Sequence, residues 1–73
     1  GDAHMPEVTS VQAAQIIGVI DDTVRNYVDR GLLPARRQGL RRKIFIELSE
    51  LEHFAAEYDF RFDQATAEQI TRQ

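Results

Sequence analysis

The chain has 73 residues, 29% of them charged, with a net charge of −3 and no cysteine. A chain of this length makes one small domain that buries only about 60% of its unfolded surface. The missing thiols exclude disulfides and thiolate metal centres and make a reducing cytoplasm the default setting.

The longest apolar runs, Ile16 with Ile17 and Val19 with Ile20 around Gly18, fall far below the ~20 residues that span a bilayer, so a soluble chain without a membrane partner is expected. The opening GDAHM resembles an expression-vector remnant, with Met5 as the native initiator. Residues 1–4, including His4, are therefore set aside. Thr9 stands three residues before Gln12, the spacing of a capping box, and predicts a helix over 10–17. Val11, Ala14 and Ile17, with Ala13 and Ile16 beside them, form its apolar face until Gly18 stops it.

Asp21 or Asp22 can then accept the free amides of a second helix, where negative charge also suits the helix dipole. This helix runs over about 21–30, with Val24, Tyr27 and Val28 as its apolar stripe and Asp22, Arg25, Asn26 and Asp29 on its wet face. Gly31 closes it, Leu32 and Leu33 anchor the exit, and Pro34 bars continuation. Two short helices joined by about four residues predict a helix-turn-helix.

Residues 35–37 and 41–46 predict two strands of a hairpin around Gln38, Gly39 and Leu40, with Ile44 and Ile46 on one side and Lys43 and Phe45 on the other. Ser49 and Glu52 have the spacing of a second capping box, opening a helix through about Tyr58 that turns Leu51, Phe54 and Ala55 to the core. Residues 59–73 leave alternatives open: a short last helix capped by Thr66 with Gln69, a frayed or linking tail, or a seam for a second subunit. The expected organisation is therefore a domain over 5–58 followed by this segment. The fold class is mainly α with a small β-hairpin.

Charge is distributed unevenly along this plan. Residues 30–43 carry six bases (Arg30, Arg36, Arg37, Arg41, Arg42 and Lys43) and no acid, whereas residues 44–73 carry seven acids and two bases. A positive field confined to one hairpin inside an acidic chain suits a polyanionic partner met along a single edge.

The order helix, turn, helix, arginine-bearing hairpin, helix resembles the winged helix-turn-helix shared by the MerR regulators and the excisionase-like DNA-binding proteins. VTSVQAAQIIGV is similar to the first helix and turn, TVRNYVDRGLLPARR to the MerR second helix with its Gly-Leu-Leu-Pro exit, and GLRRKIF to the second strand of the wing. The likeness covers about residues 8–58. It implies that the second helix enters the major groove of double-stranded DNA and that the wing grips phosphates beside it. Thr23, Arg25 and Tyr27 match the contact positions of the second helix, and Arg41 and Arg42 those of the wing. Asn26, Arg30, Arg36, Arg37 and Lys43 complete the expected DNA-binding set. This chain has Ile20 where the family commonly has a serine cap, and Asp21 with Asp22 place two acids at the end expected to approach DNA.

Plainer roles exist for several of these residues. Arg25 is four residues from both Asp21 and Asp29, the spacing of helix ion pairs. Tyr27 shares the spacing of the core stripe, and arginines commonly protect strand edges from aggregation. No enzyme is expected: neither Ser10 nor Ser49 has a histidine spaced to act as its base, and His53 lacks a second metal ligand, so neither a metal nor a cofactor is implied. The expected function is transcriptional regulation, with a recombination directionality factor or small architectural DNA binder as one alternative. A protein-interaction adaptor using the acidic second helix is the other.

Overall fold

The computed structural model describes residues 6–72, so the expectations for residues 1–5 lie outside the described residues. In chain order the elements are β1 (Glu7–Thr9), α1 (Ser10–Ile17), α2 (Asp21–Asp29), β2 (Arg36–Gln38), β3 (Lys43–Glu47), α3 (Leu48–Glu57) and α4 (Gln64–Thr71). The whole is mainly helical and has the arrangement of a winged helix-turn-helix.

The first helix follows its sequence signals closely. The Thr9 side chain accepts from the Gln12 amide at 3.2 Å, and the Gln12 side chain accepts from the Thr9 amide at 2.9 Å, so the capping box is complete. Gly18 ends α1 with φ of 77°. Its apolar face is narrower than the spacing predicts: Ala13, Ala14, Ile16 and Ile17 are buried, but Val11 is 51% exposed.

The wing is larger than the expected hairpin. Strand β1 adds to the other edge of β3, giving an antiparallel sheet of order β1-β3-β2. Val8 pairs with Ile46 and is buried beneath the helices, so three residues with one apolar centre are enough to pair β1 when the adjoining strand already has a core face. Ile44 and Ile46 lie on that face, as the alternation predicts, while Lys43 and Phe45 point away from it.

Helix α3 begins one residue before Ser49, and its N-cap is Glu47, without a side-chain cap bond. The expected Ser49 and Glu52 box does not form, because Ser49 already lies within the helix. The Leu48 amide instead donates to the Pro6 carbonyl at 2.9 Å, tying the start of α3 to the strand that precedes α1. Leu51, Phe54 and Ala55 are buried as expected, whereas Tyr58 is half exposed.

The last segment contains a helix of the domain. Asp63, rather than Thr66, caps α4, accepting from the Thr66 amide at 3.2 Å. The Asp63 amide donates to the Ile16 carbonyl, and Ala67 is fully buried against the rest of the core. Phe60 reaches back so that its ring stacks on Phe54 at 5.6 Å. Among the described residues no helix is long and apolar enough to cross a membrane.

Candidate nucleic-acid interface

Helix α2 is held from below and left open above. Val24 is fully buried, and the Tyr27 ring packs 5.3 Å from Phe54 and 5.8 Å from Phe60. Asp22, Arg25, Asn26 and Asp29 form the exposed side, the face the helical period assigns to water. Neither Asp21 nor Asp22 caps the helix. The N-cap is Ile20, which makes no side-chain bond and is 68% exposed. One Asp21 oxygen is buried without a hydrogen-bond partner, and the other lies 3.6 Å from Arg25 Nε.

The exit from α2 sets where the wing stands. The Gly31 amide donates to the Val28 carbonyl and the Leu32 amide to the Tyr27 carbonyl, both at 3.0 Å, the paired bonds of a Schellman ending. They need a left-handed residue between them, and Gly31 has φ of 78°. Leu33 is then driven into the core, while Leu32 stays 41% exposed. Only one of the two expected leucine anchors is therefore an anchor. Pro34 and Ala35 lead outward to β2.

At the wing tip the chain turns through Gly39, Leu40, Arg41 and Arg42, closed by the Arg42 amide on the Gly39 carbonyl at 3.0 Å. Gly39 has φ of 84° and Arg42 of 54°. The left-handed region disfavours a side chain by about 1–2 kcal/mol, so an arginine there is held against its own backbone preference. Leu40, between them, is fully exposed.

The ten expected site residues separate into distinct groups. Arg25, Arg37, Arg41 and Arg42 line one open groove of about 310 Å³ between α2 and the wing, together with Asp29 and Ile44. Arg41 and Arg42 form no ion pair among the described residues, and the same holds for Arg30 at the end of α2. Arg37 bonds Asp29 at 2.5 Å. Of the two acids four residues from Arg25, only Asp21 pairs with it. Asn26 is exposed and Thr23 half-buried on α2. Tyr27 belongs to the aromatic core cluster.

Arg36 and Lys43 are turned away from the groove. Arg36 donates from Nε and Nη2 to the two Glu7 oxygens at 2.7 and 2.6 Å and from Nη1 to Gln38 at 2.6 Å, and it lies 4.9 Å from the Phe45 ring centre. These bonds with Glu7 raise the Arg36 pKa further above its ordinary value. Lys43 Nζ lies 5.8 Å from the same ring. Sequence reasoning missed Glu7 as the partner of Arg36, because 29 residues separate them and β1 was not foreseen. It also missed the bond from Asp29 to Arg37, since a residue on the wet face of a helix gives no sign of the strand that will lie beside it.

Two helices joined by a tight turn, followed by a basic wing, define a helix-turn-helix DNA-binding domain. The sequence profile of the helix-turn-helix domain family matches residues 7–59, and the chain belongs to that family. The match covers β1 through α3 and ends before α4. No curated protein and no solved structure gives a significant match.

Proposed function

We propose that this domain binds double-stranded DNA sequence-specifically as a cytoplasmic transcriptional regulator, without a cofactor and without catalysis. Helix α2 lies in the major groove, and the wing loop sits on the adjoining phosphates. The observation that carries this reading is the groove between α2 and the wing, where four arginines meet beside the exposed side of α2. Two of them, Arg41 and Arg42, have no acidic partner among the described residues. Guanidinium groups free of internal acids are the donors a phosphate backbone engages, and each contact displaces condensed cations.

On α2, Asn26 and Arg25 are the side chains with the reach and chemistry to meet base edges. Tyr27 and Val24 set the height of the helix above the core. Arg36 braces the wing and is outside the contact set. A recombination directionality factor would use the same surface, and a selection for sites adjoining recombination sequences would distinguish the two roles.

The adaptor reading is favoured by one observation, the acidic start of α2 at Asp21 and Asp22, which suits a basic protein surface. Titration of an arbitrary duplex at several salt concentrations separates the two classes. DNA binding gives an affinity that falls linearly in log–log form, with a slope of about −0.9 per phosphate contacted. An adaptor gives no salt-dependent binding to duplex at all.

A further inference from the structure

We propose that Asp29 is a built-in competitor for phosphate: its carboxylate occupies Arg37 in the free protein and keeps it against loosely placed duplex, and only a backbone phosphate of well-placed DNA displaces it. The inference rests on the DNA-binding reading and concerns the regulation of the same groove. Asp29 is the only acid among the described residues lining that groove, against four arginines. Carboxylate and phosphate oxygens make the same charge-assisted bonds to a guanidinium. A phosphate seated there also meets Arg25, Arg41 and Arg42, none of which bonds Asp29.

The pair has the features of a replaceable contact rather than a strut. Its side chains are 37% and 65% exposed, so water and salt screen it strongly. The wing is fixed without it, by the buried Leu33, Ile44 and Ile46 on one face of the sheet and by the two-point bond of Arg36 with Glu7 on the other. Asp29 is also the last residue of α2, the end at which the helix dipole disfavours an anion. Local helix energetics therefore give no reason for an acid at this position. The groove gives one: with Arg37 already engaged, weakly placed duplex gains one cation fewer.

The opposite role would be a positioning residue that holds Arg37 ready for phosphate, and the two roles differ in the sign of one experiment. The full chain and its Asp29→Asn variant are titrated with a duplex of arbitrary sequence across a salt series, with circular dichroism confirming equal folding. Competition predicts that D29N binds about 3- to 10-fold tighter, with a salt slope steeper by about 0.9, as one more cation becomes available. Adding Arg37→Ala to D29N should return the slope to that of the unmodified chain. Equal or weaker binding by D29N, with salt-dependent binding retained by the unmodified chain, overturns the competitor and leaves DNA binding standing. A steeper slope in D29N that persists when Arg37→Ala is added overturns it as well. Absence of salt-dependent binding by the unmodified chain overturns the DNA reading and the competitor together.

Discussion

Arg36 and Arg37 are consecutive in β2, and the pleat sends them to opposite faces of the sheet. Arg36 pairs across β3 with Glu7, bonds Gln38 and covers Phe45. Arg37 turns to the helical side and meets Asp29 in the groove that Arg41 and Arg42 also line. The same residue type in adjacent positions thus braces the wing once and lines the groove proposed for DNA once. Local positive charge in a sequence measures the number of arginines. Which of them are available to a polyanion depends on strand parity and on the acids folding brings near.

The division between faces holds only while the base of the wing is fixed, and the largest effect is expected there. Leu33 is 1% exposed at the junction of α2 and β2. Leu33→Ala should lower stability by about 2–5 kcal/mol, measured by urea unfolding. An unchanged midpoint would mean that the wing is anchored elsewhere. Gly31→Ala tests the turn just before it. No heavy atom lies within 4 Å of the added Cβ, so the expected loss of about 1–2 kcal/mol comes from the left-handed backbone alone. A much larger loss would show that the junction tolerates no adjustment.

Smaller effects sharpen the contrast between the acidic start of α2 and the basic wing. Asp22→Asn removes an exposed charge close to the proposed duplex, within the ~8 Å screening length of physiological salt. Binding to arbitrary duplex should tighten a few-fold, about 1 kcal/mol or less, by the arithmetic of one surface charge. Unchanged affinity at low salt would place the start of α2 away from DNA. The least effect is expected at the start of α4. Hydrogen bonds from the Thr66 side chain and amide, aided by Arg61, hold the Asp63 carboxyl below its ordinary value of 3.8. The folded state therefore favours its charged form, and the added stability is present above about pH 3.8 and lost as pH falls through the lower folded value. The melting temperatures of the unmodified chain and Asp63→Asn should differ near neutrality and converge in acid. A constant difference would assign the cap to hydrogen bonding without charge.

Much of the fold was legible because its signals are local. Thr9 and Gln12 supply both halves of one cap, Gly18 and Gly31 end their helices in left-handed geometry, and Ile44 with Ile46 mark a strand face by alternation. Features that require distant chain to meet were not legible. Val8 joins the sheet only because Ile46 waits 38 residues later, the difference between their numbers in the register. Asp63 and Ser49 show the weakness of cap spacing alone. Both segments offered oxygen-bearing side chains, and packing decided where each helix began. The site was legible to the same extent: sequence placed the arginines in the wing, but the Glu7 and Asp29 contacts that divide them were set by the fold.

Salt titration of Arg36→Ala beside the double variant Arg41→Ala/Arg42→Ala tests the division between bracing and available charge most directly. Arg36→Ala removes one positive charge from the hairpin and the double variant two, so slopes are compared with the unmodified chain per charge removed. The double variant should weaken binding to arbitrary duplex and flatten the log affinity against log salt plot by about 1.8, or 0.9 for each lost phosphate contact, with its melting temperature nearly unchanged. Arg36→Ala should keep the slope and lower the melting temperature. Equal flattening by Arg36→Ala and by each wing-tip arginine replaced singly would contradict the division, because it would show that the duplex counts the arginines of the wing without regard to the face on which the sheet places them.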